Sequence, residues 1–436
     1  MTNRNREQLS FPGCKGRKVE ADFSGGNVTS DAGVLLVRQV DLHLGLTASV
    51  APLVPDPRRQ ASCEHSVLSM LRQRVYGLAL GYEDLNDHDF LRDDLAWQTA
   101  VERDEPGASS PTLCRLENWA ERGCAVAINR VLIDQFVASH AEPPTEVILD
   151  FDATNDPVHG HQVGRFFQGY YDEYCFLPLY VTCRDQLLVA YLRPSNIDGA
   201  KHAWAILALL TKRLRQAWPN VRIIFRGDSG FCRWRMLRWC DRHAVYYIVG
   251  LAKNERINEL AARQIDQARK CFDATGRKQR LFGNFRYGAH PWDVERKVIA
   301  RIEHSNKGSN PRYVVTNLEG NGRQLYERIY WARGEMENRI KEQKMLFSDR
   351  TSAHNWWPNQ FRLLLSALAY TLVEAMRRLG LSGTELAQAQ VDTIRLKLLK
   401  IGAVIVRNTR RVRFCLSSAH PCQHLFRLVA ARLKPG

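Results

Sequence analysis

The segment YWARGEMENRIKEQK, from Tyr330 to Lys344, brings together the side chains best suited to chemistry. At about 100° per residue, an α-helix here would place one acid and four donor groups in a single narrow stripe. The members of the stripe are Tyr330, Arg333, Glu337, Lys341 and Lys344. A carboxylate among such donors offers an oxygen ligand for a hard cation beside groups that bind phosphate oxygens. The same count places Glu335 and Glu342 on the solvent side, and the alternative is a solvated amphipathic helix with charge pairs.

Two apolar segments upstream of this helix end in acids. Residues 147–154 read VILDFDAT, and Asp150 and Asp152 lie two apart, so they point to one face of a strand. Residues 221–231 read VRIIFRGDSGF and carry Asp228 at the end of a second apolar run. Either aspartate alone is as typical of a helix N-cap or a turn as of a metal ligand. Taken with the helix, they predict a metal site of Asp152, Asp228 and Glu337, with Asp150 as an alternate ligand.

The chain between these acids predicts a mixed α/β sheet. Further strands are expected at 175–182, 186–192 and 245–250, with helices at 198–218 and 232–243. This order is that of a ribonuclease H-like sheet, in which the first and fourth strands are neighbours. Asp152 and Asp228 would then end side by side, at the crevice where α/β sheets bind ligands. A buried helix over 361–376 is expected beneath the sheet.

The predicted organisation has five parts. These are a largely helical region (1–142), the first part of the α/β core (143–252), a mainly β insertion (253–318), the second part of the core with the Glu337 helix (319–380), and a basic C-terminal region (381–436). The insertion should contain a polar helix over 254–269 followed by three strands. From residue 393 to the end there is no acid, and basic residues accumulate, which favours a DNA-facing element over a merely solvated surface.

These motifs resemble those of bacterial insertion-sequence transposases of the DDE type. The spacing Tyr-x2-Arg-x3-Glu-x6-Lys matches that superfamily without insertion. The segments LDFDATNDPVHG, FFQGYYDEYCFLPL, LRPSNIDGA and RGDSGF resemble the IS-thirteen-eighty-type elements, and the resemblance runs over nearly the whole chain. It implies a catalytic triad of Asp152, Asp228 and Glu337, with Tyr330, Arg333 and Lys344 on substrate phosphates. It also implies that the helical region 1–142 binds the DNA ends of the element. The family pattern Asp-x-Thr favours Asp152 over Asp150.

The implied reaction is two-metal phosphoryl transfer. Carboxylate ligands favour Mg²⁺, with Mn²⁺ as a substitute, over zinc. Water would nick the element end, and in similar proteins the freed 3′-hydroxyl forms a hairpin that is reopened before the ends join target DNA. The partners would be double-stranded DNA, as terminal inverted repeats and as target, and a second copy in a homodimer. Related enzymes use the insertion to grip a base pulled out of the duplex, and Trp292 and Trp331 are the stacking candidates.

Composition agrees with a nucleic-acid partner. The formal net charge is +16, which favours a polyanion. The chain has neither an apolar signal sequence nor an eighteen-residue apolar stretch, and its eleven cysteines form no C-x2-C pair. These features predict no membrane partner and a location in the bacterial cytoplasm, at the nucleoid. Two other functions remain open: a catalytically silent DNA-binding regulator derived from a transposase, and a hydrolytic nuclease of the same fold.

Overall fold

The computed structural model describes residues 8–59, 61 and 63–434, and the chain separates into two compact units. The first unit consists of Met1–Trp119 and Leu368–Gly436, and the second of Ala120–Ala367. In the described part of the chain no single helix is long and apolar enough to cross a membrane. One bent pair, Val34–Leu44 with Leu46–Leu53, reaches that limit on length and composition alone.

The N-terminal part of the first unit is helical after a short β-hairpin. The hairpin pairs β1 (Leu9–Cys14) with β2 (Arg17–Ala21), and β3 (Val28–Thr29) follows. The helices are α1 (Val34–Leu44), α2 (Leu46–Val50), α3 (Val67–Leu80), α4 (Asp87–Leu91), α5 (Leu95–Ala100) and α6 (Ser110–Asn118). The start of α3 is fixed by the side chain of Ser66, which accepts a hydrogen bond from the backbone N–H of Ser69.

The second unit is built on a mixed eight-stranded sheet. The unit begins with α7 (Arg122–Ala138). Seven strands of the unit, not all of them in the large sheet, then lead up to Asp228: β4 (Glu146–Ala153), β5 (Asp156–Pro157), β6 (Phe166–Gln168), β7 (Glu173–Phe176), β8 (Leu179–Cys183), β9 (Gln186–Tyr191) and β10 (Arg222–Gly227). Helix α8 (Ala203–Ala217) lies between β9 and β10, and α9 (Trp234–Arg242) and β11 (Tyr246–Leu251) follow β10. Strand β10 runs parallel to both β4 and β11, and β8 runs antiparallel to β4 and β9. The expected pairing of the first and fourth strands is therefore present.

One predicted strand is wrong in extent. The run 175–182 is divided into β7 and β8, which belong to different sheets. The division falls at Leu177 and Pro178, because proline has no N–H for a ladder hydrogen bond and the N–H of Leu177 bonds the carbonyl of Arg193 instead (2.8 Å). Strands β5, β7 and β6 form a separate small sheet in that order.

Residues 253–318 add strands to the main sheet. Helices α10 (Glu255–Leu260) and α11 (Ala262–Thr275) replace the single predicted helix. They are followed by β12 (Gln279–Tyr287), β13 (Arg296–Ser305) and β14 (Gly308–Thr316). Strand β14 pairs antiparallel with β11, so these three strands continue the central sheet at that edge.

The two faces of the sheet carry different layers. On one face, apolar side chains of α7, α8, α9 and α11 pack in a large core with Leu149 of β4 and Phe225 of β10. On the other face, a smaller core joins Ile224 and Ile248 to Leu325 and Tyr326. Because neighbouring residues of a strand point to opposite faces, Asp150 and Asp152 lie on this second face with Ile148.

The segment predicted as one α-helix from Tyr330 changes its helical type. Helix α12 (Gly322–Gln324) continues as a π-helical stretch, Leu325–Tyr330, then a 3₁₀ turn, Trp331–Arg333, and only then α13 (Gly334–Met345). The constant angle per residue assumed from the sequence therefore fails before Gly334. The solvent placement of Glu342 is also wrong: its side chain is fully buried and pairs with Arg339 (2.9 Å). Glu335 is exposed, as expected.

Helix α14 (Trp356–Ala375) is the long apolar helix expected from the sequence, and it contributes residues to both units. The C-terminal part of the first unit contains α15 (Val391–Ile394), β15 (Ala403–Asn408), β16 (Arg411–Leu416) and α16 (Gln423–Arg432). Strand β15 pairs with both β16 and β3. Arg410, Arg411 and Arg413 are exposed on this hairpin.

Candidate active site

Asp152 and Asp228 lie at the ends of neighbouring parallel strands. Asp152 is the penultimate residue of β4, and Asp228 directly follows β10. Gly227 is paired with Phe151 in the ladder, so the next residue of each strand brings the two aspartates to the same level. The Asp152 side chain is largely buried, and its Oδ1 accepts a hydrogen bond from the N–H of Ala153 (2.9 Å).

The turn after β10 depends on a close approach to β11. Asp228 caps a 3₁₀ turn, because its Oδ1 accepts a hydrogen bond from the N–H of Gly230 (2.8 Å). A Cβ on Gly250 would lie 2.7 Å from both the Ser229 nitrogen and the Tyr330 hydroxyl. Only glycine at this position of β11 lets the Asp228 turn and Tyr330 come together without a shift of the backbone.

Arg333 connects the first and third acids. Its Nη1 lies 3.1 Å from Oδ2 of Asp152, and its Nη2 lies 3.5 Å from Oε1 of Glu337. Glu337 itself is in the first turn of α13 and keeps 59% of its side-chain surface exposed. The guanidinium therefore spans the space between a buried and an exposed carboxylate.

The pKa of Asp152 reflects its burial and the charges around it. The pKa is raised to about 6, mainly by burial; Arg333 opposes this rise, and the carboxylates of Asp228 and Glu337 contribute to it. Burial disfavours the charge on Arg333, but Asp152, Tyr330, Asp228 and Glu337 together hold its pKa above the ordinary value. The site is thus a group of mutually repelling acids with one strong cation among them.

These donors suit a hard divalent cation by their chemistry, since carboxylate oxygens are the ligands that Mg²⁺ prefers. Within the described ranges, however, no three His, Cys, Asp or Glu side chains gather closely enough to hold one ion. The guanidinium of Arg333 contacts Asp152 and Glu337 and supplies positive charge between them. The acids converge on one region without closing on a single point.

Asp150, the alternate first ligand, has a different environment. Arg226 binds it with two nitrogens, Nε to Oδ1 and Nη2 to Oδ2, the latter at 2.6 Å. Both residues are buried, and Asp150 faces Arg226 directly across the β4–β10 ladder. Burial raises the pKa of Asp150, and Arg226 opposes this. Both oxygens are therefore committed to an internal ion pair.

Arg226 is a site residue that the sequence reasoning missed. Besides Asp150, it donates to the backbone carbonyls of Ile329 and Ala332, which belong to the π-helical stretch and the 3₁₀ turn. It thereby holds the segment between Tyr330 and Arg333 against the sheet. The signal was present: Arg226 lies two residues before Asp228, and the predicted strand pairing brings it opposite Asp150.

The remaining donors of the predicted stripe have different environments. Burial raises the pKa of Tyr330 to about 12, with Asp228 adding to the effect and Arg333 opposing it, so the phenol stays a hydrogen-bond donor. Lys344 donates from Nζ to the carbonyl of Asn155 (3.1 Å), and Lys341 is exposed. Tyr330 and Arg333 thus lie beside the acids, and Lys344 binds the segment after Asp152, although the three residues do not share one regular helix.

The two tryptophans have distinct environments. Trp292 packs at the edge of the large core, edge-to-face with Tyr287 and beside the guanidinium of Arg296. Trp331 keeps 50% of its surface exposed, and the guanidinium groups of Arg280 and Arg301 lie 5.2 and 5.0 Å from its ring centroid. Trp331 therefore has a ring that a ligand can reach, whereas Trp292 has a packing role.

Comparison with known proteins shows the family of the chain. A family model described as "Transposase DDE domain group 1" matches residues 11–435. None of the curated proteins matches the chain. Among solved structures, the chain is similar to the piggyBac transposase of a synaptic complex with hairpin DNA, with 11% sequence identity, a TM-score of 0.42, and coverage of 85% of this chain and 80% of that chain. Because the family model spans almost the entire sequence, the chain belongs to the group 1 DDE-domain transposases.

Proposed function

We propose that this transposase excises and integrates an insertion sequence by two-metal phosphoryl transfer at Asp152, Asp228 and Glu337. The observation that carries the proposal is the meeting of two strand-end aspartates on neighbouring parallel strands with an arginine that reaches from Asp152 to Glu337. Members of its family generally use divalent metal ions, and the carboxylate donors fit Mg²⁺, with Mn²⁺ as a substitute.

The fold assigned to this catalytic core is ribonuclease H-like. Five strands support it, in the spatial order β9-β8-β4-β10-β11, with the first strand of the set beside the fourth. The first three strands are antiparallel neighbours, and the last two run parallel to the first. In this arrangement the acids of the first and fourth strands share one sheet end, and the helix with Glu337 approaches from the face that carries them.

The residues of this chain divide the work of phosphoryl transfer. Asp152, Asp228 and Glu337 would hold the cations, and a bound pair of Mg²⁺ ions supplies charge stabilisation for both the attacking and the leaving oxygen. Arg333 exchanges one carboxylate contact for a phosphate oxygen, which a planar guanidinium can bind with two N–H groups. Tyr330 donates its phenolic proton in a hydrogen bond, and Lys341 and Lys344 add cationic donors around the substrate.

The reaction proceeds in steps that use the same centre. Water attacks the scissile phosphate at the element end and frees a 3′-hydroxyl. That hydroxyl attacks the opposite strand to give a hairpin, which is reopened, and the 3′ ends then join target DNA. Two element ends are cut in concert, which calls for a homodimer on DNA. The net charge of +16 supports binding of inverted repeats and target at the bacterial nucleoid, and the motifs favour the IS-thirteen-eighty type.

An end-cleavage assay tests the proposal. Linear DNA that carries the cognate inverted repeats is incubated with the full chain and Mg²⁺, and products are resolved on denaturing gels. We expect nicks at the element ends, hairpins and joined products, and none of these with Asp228→Asn or Glu337→Gln, while binding of the ends is retained. Binding without cutting by the unmodified chain would identify a regulator, and nicks without hairpins or joined products would identify a nuclease.

A further inference from the structure

An exposed cluster of aromatic rings lies in the small sheet that follows the first catalytic strand. The aromatic hairpin is defined here as residues 166–176, that is, β6, β7 and the turn between them. Its exposed rings and their exposed fractions are Phe166 (42%), Phe167 (52%), Tyr170 (87%) and Tyr174 (49%). Phe167 and Tyr174 are paired across the two strands and share one face, Tyr170 lies in the turn, and Phe166 points to the other face. Large exposed apolar groups that lie together mark a binding site more often than scattered single ones do.

The backbone beneath these rings is held in place. The amide of Gln168 donates to the carbonyl of Ser195 (2.8 Å), and the hydroxyl of Ser195 donates to the carbonyl of Phe166 (2.8 Å). The N–H of Val158 donates to the carbonyl of Tyr174 (2.9 Å). The rings of Phe167 and Tyr174 contact each other edge-to-face at 5.6 Å. The exposed surface is thus presented by a fixed framework.

The aromatic hairpin is joined to the candidate active site by direct contacts. Asn155, three residues after Asp152, donates a side-chain hydrogen bond to Glu173 of the hairpin and accepts one from Lys344 at its carbonyl (3.1 Å). Burial raises the pKa of Tyr171, and the charges of Asp152 and Asp228 add to the rise. The ring of Tyr170 lies edge-on to Tyr171 at 4.9 Å. The hairpin is therefore tied through Asn155 to the segment that directly follows Asp152.

The charges of the hairpin indicate which part of a nucleic acid it would contact. Its acids are Asp172 and Glu173, and the neighbouring cation is Arg165, stacked on Tyr174 at 4.5 Å. A surface of rings with this charge balance does not attract phosphate groups as a cluster of arginines would. It suits the flat faces of bases, which stack on aromatic rings whatever their sequence.

We propose that the aromatic hairpin binds unpaired nucleotides of the DNA strand next to the scissile phosphate, by stacking bases on Phe167 and Tyr170. The inference rests on the proposed function, because it takes DNA as the substrate. In a duplex the base faces are covered by their neighbours, so the hairpin discriminates in favour of DNA whose strands have separated. Separation close to the carboxylates gives the 3′-hydroxyl room to move between successive positions of attack.

The test compares affinities for two probes of arbitrary sequence. The double variant Phe167→Ala/Tyr170→Ala is titrated against an oligo(dT) strand of about 15 nucleotides and against a duplex of the same length, by fluorescence anisotropy over a range of salt. We expect at least about a tenfold loss of affinity for the single strand and an unchanged affinity for the duplex. The slope of log affinity against log salt should stay the same, because no phosphate contact is removed.

Trp204→Ala is the matched control, since that tryptophan is 52% exposed on α8. The core residues of α8 pack against the face of the large sheet that does not carry Asp152. It should leave both affinities unchanged. An unaltered single-strand affinity of the double variant would overturn the proposal. So would a change from dimer to monomer in light scattering, since the rings would then be covered by a second copy. Failure of the unmodified chain to cut element ends would refute the proposed function while leaving a measured single-strand site intact.

Discussion

Two acids on one face of β4 differ in what surrounds them. Asp150 has both oxygens bound by Arg226 in a buried ion pair, whereas Asp152 shares a single guanidinium with Glu337 and is repelled by Asp228. An internal pair of this kind has no free oxygen for an external ligand. The partially neutralised acid, near the carboxyl end of the strand, is the one whose oxygens are available to a cation.

Asp150→Asn and Asp152→Asn should therefore have opposite effects on stability, and only Asp152→Asn should remove a ligand of the cations. Asp150→Asn leaves the buried charge of Arg226 poorly compensated, and the free energy of unfolding should fall by about 3–5 kcal/mol. Asp152→Asn removes a buried charge whose pKa is raised, so stability at pH 7.5 should rise on the order of 1 kcal/mol while cleavage is lost. Urea unfolding and end cleavage are the measurements. Loss of cleavage confined to Asp150→Asn, with Asp152→Asn active, would make Asp150 the ligand.

Asp156 should make the stability of the protein depend on pH. Burial raises its pKa to about 8; Asp349 adds to the rise, while Thr351, Lys344 and Arg350 oppose it. The unfolded carboxyl has a pKa near 3.9, so between about pH 4 and pH 8 the folded state holds a proton that the unfolded state has lost. The contribution of Asp156 to the free energy of unfolding is therefore fully present below about pH 4, and it is lost as the pH rises to about 8.

Asp156→Asn should flatten this dependence and raise stability at pH 8 by at least about 1 kcal/mol. Urea unfolding at several pH values measures it. Asp273→Asn, at an exposed position of α11, is the control and should keep the pH profile of the unmodified chain. An identical profile in Asp156→Asn would show that the carboxyl is not protonated in the folded state.

At the scale of elements, the irregular path from Leu325 to Arg333 positions the Arg333 side chain. A π-helical stretch and a 3₁₀ turn precede α13, and Arg226 donates to a carbonyl of each. Helical segments of these types are often found at functional sites, because they turn side chains away from the regular angle. Here the irregularity lets Tyr330 lie over Gly250 while Arg333 reaches Asp152.

Arg226→Lys should loosen this segment while it keeps the charge opposite Asp150. A lysine cannot bind Asp150 with two nitrogens and also reach both carbonyls. We expect single-turnover cleavage to fall at least about tenfold, with affinity for the inverted repeats changed less than twofold, since no DNA contact is removed. Arg222→Lys, at an exposed position of the same strand, serves as the control. Equal losses in cleavage and binding would contradict a positioning role.

The sequence predicted the two acidic strands and their pairing well, for a physical reason. Strands such as β4 and β10 are short apolar runs, and the polar residue that ends each run is visible in the pattern. The change of helical type before Gly334 was not visible, because a π-helical stretch leaves the residue types of an α-helix unchanged. The burial of Glu342 was also missed, since its partner Arg339 lies on the same helix and a periodicity count treats both as solvated.

At the scale of the whole chain, charge should dominate the binding of duplex DNA. The net charge is +16, and exposed arginines occupy the C-terminal β-hairpin. Each phosphate neutralised contributes about −0.9 to the slope of log affinity against log salt. Replacement of Arg410, Arg411 and Arg413 by Gln should reduce the magnitude of that slope by about 1 to 3. An unchanged slope would mean that this hairpin does not contact DNA.

Metal rescue of a cysteine variant tests most directly whether these acids hold catalytic cations. Asp228→Cys replaces a hard carboxylate with a soft thiolate, which binds Mn²⁺ better relative to Mg²⁺. Nicking of element ends is measured in each metal, with Asp228→Asn as the variant that no metal should rescue. The account predicts no nicking by Asp228→Cys in Mg²⁺ and a measurable recovery in Mn²⁺. Nicking at the unmodified rate by either variant in Mg²⁺ would contradict it.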